Sequence, residues 1–158
     1  LEPFNSHLSL VPIGVYQALF HTFGVESYVP FRVVGLVAYA VLGWVTWRFA
    51  HERLGTIGAA LATAAVLWNS GGVTNVMFPF LMNFSLPIAA LAAIWWHLDR
   101  RTVRHDVAAS LWLMLALATS GLGLMTAVAV GVELVWVAVA DRRVDWRRWL
   151  TLAPGPVL

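Results

Sequence analysis

Glu133 is the one acidic residue that lies inside a long apolar run of this sequence. An ionised carboxylate in an apolar medium is strongly disfavoured unless it is protonated or paired, so such a residue is a candidate for a functional site. The alternative is a protonated or hydrogen-bonded glutamate that holds neighbouring helices together. The position of this intramembrane polar residue leaves both interpretations open.

Arg32 stands at the start of the first long apolar run, and Asn5 and His7 precede an earlier helical segment. A guanidinium can bind a phosphate through two parallel hydrogen bonds, or it can anchor a helix by reaching the lipid headgroups. A histidine at such a position could accept a proton, bind a metal or contact a phosphate. The alternative is that Asn5 and His7 belong to an ordinary solvated loop.

Three amides, Asn69, Asn75 and Asn83, flank the boundary between two apolar runs, and Pro79 lies among them. Polar amides and a proline at the rim of a membrane predict a cavity or a bent helix. Ordinary loop chemistry is the alternative interpretation.

Metal chemistry has little support in the sequence. His51-Glu52 begins like the zinc-binding His-Glu-x-x-His motif, but Gly55 stands where the second histidine is required. The absence of cysteine excludes disulfides and cysteine-based metal or redox sites within these 158 residues. No metal ligand is predicted, no cofactor is assigned with certainty, and a divalent metal is left open.

The elements that position these residues follow from composition. The sequence is 60% hydrophobic and 11% charged, whereas soluble domains are about 25% charged. One compact core cannot bury this much apolar surface, so part of the solvent must be lipid. We therefore expect an all-α fold, a polytopic transmembrane helix bundle. The formal net charge of +2 is no nucleic-acid footprint, because the basic residues form short clusters between apolar runs.

A membrane span needs about 20 apolar residues. Five runs approach this length, at 31–50, 56–69, 78–98, 107–120 and 122–140. Small residues cover nearly every face of the second run, which predicts a position inside the bundle. The segment 8–23 has apolar residues at helical 3–4 spacing, interrupted by Gln17 and His21, and predicts an amphipathic helix at the interface.

These runs divide the chain into three parts. Residues 1–30 form an outer-face loop and the interfacial helix, residues 31–148 form a five-span bundle, and residues 149–158 begin a further, truncated span. The sequence starts without methionine and stops just after a new apolar run begins. We interpret it as an internal fragment of a larger protein.

The arginines predict an orientation. Nine of the ten follow the first, third and fifth runs, which places them on one side of the bilayer, the cytoplasm. The connections 70–77 and 120–121 carry no charge. Tryptophans then fall near the cytoplasmic interface, as an aromatic belt would, with Trp68 near the outer one. The eight cytoplasmic ones are Trp44, Trp47, Trp95, Trp96, Trp112, Trp136, Trp146 and Trp149.

Several strings in the sequence carry a family resemblance. They are Asn5-Ser6-His7-Leu8-Ser9-Leu10-Val11-Pro12, Tyr28-Val29-Pro30-Phe31-Arg32, the stretch 78–84, Leu98-Asp99-Arg100-Arg101 and Gly131-Val132-Glu133-Leu134. Together they resemble bacterial integral membrane glycosyltransferases of the GT-C type, mannosyl- or arabinosyltransferase-like, over nearly the whole chain.

The resemblance implies a polyprenyl-phosphate sugar donor, a glycan or lipid acceptor met at the outer face of the plasma (inner) membrane, and inversion at the sugar carbon. The general base of such enzymes lies in an outer loop, which would precede Leu1, so the catalytic residue is unknown and this fragment lacks the catalytic acid. Phe78 and Leu81 replace the family's Trp and Gln; Asn83 could supply the missing polar contact.

We therefore expect part of a membrane glycosyltransferase. In this hypothesis His7 and Arg32 steer the lipid phosphate, and Asn5, Asn75 and Asn83 line the substrate cavity. The alternatives are a small-solute permease, which predicts internal repeats that are not evident here, and a non-catalytic membrane scaffold. The partners expected are membrane lipid, the donor and the acceptor, and no nucleic acid.

Overall fold

The computed structural model describes residues 9–24, 26–68, 82–142 and 146–152, and every regular element in them is helical. The helices are α1 (Leu10–Phe23), α2 (Val29–Trp68), α3 (Met82–Leu98), α4 (Val103–Thr119), α5 (Leu122–Asp141) and the short α6 (Trp146–Trp149), which a 3-10 turn at Leu150–Leu152 follows. The all-α prediction is confirmed for this part of the chain.

Gly55 divides α2 into two antiparallel halves. Its backbone angles, φ 69° and ψ −174°, interrupt the helix in a region that only glycine adopts readily. The Tyr39 hydroxyl donates a hydrogen bond to the Leu67 carbonyl oxygen, although a straight helix would hold these residues about 40 Å apart. A Cβ atom at Gly43 would lie 3.1 Å from Leu67 Cδ1. Residues 56–68 therefore return alongside residues 29–54 as a helical hairpin.

The bundle is built around α3, which packs against α2, α4 and α5. Its inward face is lined by small side chains, including Ala89, Ala90 and Ala93, which are almost fully buried and allow close approach of the neighbouring helices. The core cluster lies beside them and consists of Ile94, Leu98, Ala109, Leu113, Val130 and Leu134.

The second apolar run is not inside the bundle. In residues 56–68 only Ala59 is buried, whereas Ile57 and Leu61 are largely exposed. The prediction of an inner position was wrong, because small side chains permit close packing without requiring it. The buried alanines are instead distributed over α2, α3 and α4.

Two described helices, α2 and α5, are long and apolar enough to cross a membrane, whereas α1 and α3 are shorter apolar helices. This is fewer than the five predicted spans. The hairpin joins the first two runs into α2, the described part of the third run begins at Met82, and α4 opens with Arg104, His105 and Asp106. Only 22% of the most apolar stretch of α5 is buried, so α5 presents an apolar side outwards.

The α1 helix occupies the segment predicted to be helical and packs against α2 and α4. Pro12 lies in its first turn, where no intrahelical hydrogen bond is lost. Val11, Val15 and Leu19 are partly buried, whereas Gln17 and His21 are exposed, as the spacing predicts. Phe23, on the same predicted apolar face, is exposed.

Candidate functional site

Three connections meet at one end of the bundle, which we call the arginine end: residues 51–55, residues 99–102, and residues 141–142 with α6. Ion pairs join them. Arg53 pairs with Asp99, the Arg100 Nη2 and Glu52 Oε1 atoms are 2.5 Å apart, and Arg101 Nη2 lies 3.4 Å from Asp141 Oδ2. Arginines that are far apart in the sequence thus come together, as a common side of a bundle requires.

Trp96 is the centre of this end. Its indole Nε1 donates a 2.8 Å hydrogen bond to Glu52 Oε1, and Arg100 Nη1 donates a 2.9 Å hydrogen bond to the Trp96 carbonyl oxygen. The guanidinium carbons of Arg100 and Arg48 lie 4.2 and 5.3 Å from Trp96 ring centroids, within cation–π range. These contacts tie the end of the first α2 half to the end of α3.

Glu52 lies beyond the predicted span 31–50. The hydrogen bond from Trp96 is the largest influence on its carboxyl pKa and lowers it, and partial burial opposes this effect. The hydrogen bond and positive charge of Arg100, together with the charge of Arg48, lower the pKa further. The carboxylate is therefore held in its charged form.

Two adjoining cavities, of about 530 and 250 Å³, open at the arginine end. Both are bordered by Arg101, Leu134, Val137 and Arg148. The larger cavity is also bordered by Ala138, Asp141 and Trp149, and the smaller one by Leu98, Asp99 and Glu133.

Arg148 is the buried cation of this region, with 9% of its surface exposed. Its Nη2 atom donates to the Leu98 carbonyl oxygen at the carboxyl end of α3, where helix carbonyls lack intrahelical partners. Its Nε atom is buried and has no hydrogen-bond partner among the described residues. An unpaired buried donor costs about 1–3 kcal/mol, and more for a charged group, so the Arg148 guanidinium is only partly satisfied by its contact with Leu98.

The sequence did not identify this set of residues as a site. Arg148 contributed only to the predicted orientation, and Arg101 to the orientation and the family resemblance. Their shared cavities depend on the contact between Arg148 and Leu98, 50 positions apart. Two arginines near tryptophans were the available signal, but that pattern is equally typical of an interfacial belt.

Glu133 is exposed on α5 and borders the smaller cavity. No hydrogen bond or ion pair of its carboxylate occurs within the described residues. Both interpretations of Glu133, as a functional residue and as a link between helices, stay predictions.

Arg32 and Asn83 lie at the opposite end of the bundle. Arg32 is exposed, and its guanidinium carbon lies 5.2 Å from the Tyr28 ring centroid, next to the stacked pair of Tyr28 and Phe31. No described contact joins Arg32 to Asn83. The other predicted substrate residues, Asn5, His7 and Asn75, lie outside the described residues.

Asn83 is 7% exposed, and its side-chain Oδ1 has no hydrogen-bond partner in the described part of the chain. Its backbone oxygen accepts a 2.8 Å hydrogen bond from Ser120 Oγ. This bond has a local cause: Pro87, four residues further along α3, has no N–H group to donate to that oxygen. Ser120 therefore replaces the missing helical donor, and the Asn83 amide remains as a buried acceptor.

Two histidines, His97 and His105, form a hydrogen-bonded pair. His97 Nδ1 and His105 Nδ1 are 2.7 Å apart, a hydrogen bond in which one ring donates and the other accepts. Across the described ranges, no three His, Asp or Glu side chains are grouped as a metal site would require.

Compared with known proteins, the chain matches no family model, no curated protein and no solved structure. A functional proposal must therefore be argued from the geometry and from the sequence resemblance.

Proposed function

We propose that this chain is a multi-span membrane bundle whose arginine end faces the cytoplasm of a bacterium, and that it forms part of a glycosyltransferase of the inner membrane. The observation that carries the membrane part is the convergence of three arginine-bearing connections at one end of a bundle with apolar sides. An excess of Lys and Arg in the cytoplasmic loops is the main feature that sets the orientation of a membrane protein.

The hairpin at Gly55 supports a larger number of spans than two. Each half of α2 corresponds to one predicted run, and the return of residues 56–68 places Trp68 at the end opposite the arginines. In this proposal the two halves of α2, together with α3, α4 and α5, are the five spans, although α2 and α5 alone among the described helices have the length and composition of a membrane span.

The transferase part depends on the sequence resemblance and on Asn83. The buried Oδ1 atom of Asn83, at the end opposite the arginines, has no hydrogen-bond partner among the described residues, and an amide oxygen can accept a hydrogen bond from a sugar hydroxyl. Arg32, at the same end, is exposed and can bind the phosphate of a polyprenyl-phosphate donor. The general base of the proposed reaction is not assigned to any residue of this chain.

The orientation is tested first, with single cysteines introduced into this cysteine-free sequence. Ser27→Cys and Arg142→Cys are both exposed positions, at opposite ends of the bundle. A membrane-impermeant maleimide added to intact spheroplasts should label Ser27→Cys at once and Arg142→Cys only after permeabilisation. The reverse pattern would overturn the orientation, and equal labelling would overturn the membrane bundle.

The transferase is tested with the full-length protein in proteoliposomes and polyprenyl-phosphate mannose or arabinose as donor. Arg32→Gln should raise the donor KM by about tenfold, because a charged hydrogen-bond pair to the phosphate is lost. Asn83→Leu should lower kcat/KM, whereas Arg104→Gln, an exposed arginine at the other end, is the matched control.

An unchanged KM would remove Arg32 from the donor site. Absence of transfer with every donor would reject the enzyme in favour of a scaffold, and accumulation of a labelled solute in the same vesicles would favour a permease.

A further inference from the structure

The side chain of Arg148 is held in place by a hydrogen bond, but not all of its N–H donors have an acceptor among the described residues. One guanidinium nitrogen is held by the Leu98 carbonyl oxygen, while the buried Nε has no partner among the described residues. The same side chain borders both cavities at the arginine end. A guanidinium that is already held by one hydrogen bond loses little conformational freedom when a ligand binds in a cavity that its side chain borders.

The acidic neighbours of Arg148 are engaged elsewhere or face a different cavity. Asp141 pairs with Arg101 at 3.4 Å, and Asp99 pairs with Arg53. Glu133 borders only the smaller cavity. The described lining of the larger cavity therefore has two arginines and one aspartate, and Arg148 has no carboxylate partner there.

The larger cavity has the size and lining of a ligand site. Its volume of about 530 Å³ falls within the range of small-molecule pockets. Trp149, Leu134 and Val137 provide an apolar wall next to the two guanidinium groups. Such a wall accommodates the organic part of a phosphate ester, while the arginines bind its oxygens.

We infer that the larger cavity binds a phosphate group, carried either by a lipid headgroup or by a soluble molecule, with Arg148 as the principal ligand and Arg101 as the second. This site lies at the arginine end, whereas the proposed sugar donor would meet Arg32 at the other end. It does not depend on the transferase proposal.

The test measures binding to the full chain in neutral detergent micelles. Native mass spectrometry would record retained phosphatidate against phosphatidylcholine, and equilibrium dialysis with radiolabelled inorganic phosphate would test the free anion. Arg148→Gln should weaken binding by about tenfold or more. Arg104→Gln removes the same charge from an exposed position at the same end and should leave binding unchanged.

Two further variants separate recognition from misfolding. Arg148→Lys keeps the charge but loses the planar fork, and binding should fall between the wild type and Arg148→Gln. Asp141→Asn releases Arg101 and should tighten binding, a change that misfolding cannot produce.

The outcomes also identify the source of the phosphate. Retention of phosphatidate alone, dependent on Arg148, supports a lipid headgroup, whereas binding of inorganic phosphate in the same dependent manner supports a soluble ligand. Binding of neither probe, or equal loss in Arg148→Gln and Arg104→Gln, would overturn the inference.

Discussion

Glu52 joins two helices through a single carboxylate, which accepts hydrogen bonds from Trp96 and Arg100. Because these donors lower its pKa in the folded state, the ionised carboxylate stabilises the fold at neutral pH. This contribution is fully present above the carboxyl's ordinary pKa and is lost as the pH falls through the lowered, folded-state value. Partial exposure of both side chains limits the effect.

We therefore expect Glu52→Gln to reduce stability by about 0.5–1 kcal/mol at neutral pH. The difference from the wild type should disappear on acidification. Thermal unfolding in detergent across a pH series measures it. Glu26→Gln, at an exposed position at the other end of the bundle, is the control. A Glu52→Gln deficit that persisted unchanged in acid would contradict the role of the charge.

Ser120 and Pro87 are coupled through the Asn83 carbonyl oxygen. Ser120→Ala leaves that buried oxygen without a donor and should cost about 1–3 kcal/mol. In a Pro87→Ala background the backbone N–H of residue 87 becomes available, so the same substitution should cost less. A double-mutant cycle of unfolding free energies measures the difference; strict additivity would show that Ser120 does not replace the missing helical donor.

At the residue scale, the sequence identified unusual polar residues, but it did not identify the groups that they contact. Glu133, Arg32 and Asn83 were recognised as unusual polar residues, but their contacts depend on neighbours distant in the chain. Arg148 and Ser120 were not recognised as site residues, since their partners are a carbonyl oxygen at position 98 and one at position 83. Backbone acceptors are present at every residue, so their exposure at a helix end or near a proline carries no signal until the fold is known.

The helices themselves followed the apolar periodicity closely. The fifth predicted run, 122–140, corresponds to the helix Leu122–Asp141. The helix that contains the first predicted run begins at Val29 instead of residue 31. The fourth helix begins at Val103, before the predicted 107, because its first turn is polar and apolar periodicity detects only the buried or lipid-compatible part of a helix. The inner position predicted for 56–69 failed because small residues do not specify which surface they contact.

The turn at Gly55 is the hinge between the two α2 halves. Its φ of 69° is strained for any other residue, so Gly55→Ala should destabilise the chain by about 1–3 kcal/mol. Gly14→Ala is the matched control: nothing lies within 4 Å of the added methyl group and the position is helical, so it should be neutral or stabilising by up to about 1 kcal/mol. Titration with a denaturing detergent, followed by circular dichroism, compares them. Equal stability of the two variants would contradict the hinge.

At the scale of the whole molecule, the sequence predicted an all-α fold, and the spacing of arginines predicted that three connections share one end. The number of spans was harder to derive. Hydropathy counts apolar runs, whereas the structure joins two of them across a glycine and gives α4 a charged first turn. The cavities at the arginine end could not be predicted, since they arise where α5, α6 and the α3–α4 connection meet.

A substitution at Val132 can distinguish a membrane bundle from a soluble one. It lies at the middle of α5 and is 65% exposed. On a soluble surface, Val132→Arg would change stability by less than about 0.5 kcal/mol, whereas at the centre of a bilayer an arginine costs about 3 kcal/mol even on insertion scales. We expect Val132→Arg, and not Val132→Leu, to reduce the amount of protein that resists alkaline extraction from membranes. Equal membrane yields of the two variants would reject lipid contact by this face.

The one-sided distribution of arginine has a consequence for how ligands reach the protein. In the proposed orientation, the connections 70–77 and 120–121 cross the bilayer during synthesis without carrying a formal charge. Inverting the finished bundle would instead drag nine arginines through hydrocarbon, at a few kcal/mol each. If the proposed orientation holds, it is set once, at synthesis, and does not equilibrate afterwards. In that orientation, any molecule that binds beside Arg148 must arrive from the cytoplasm or from the inner leaflet, however abundant it is outside the cell.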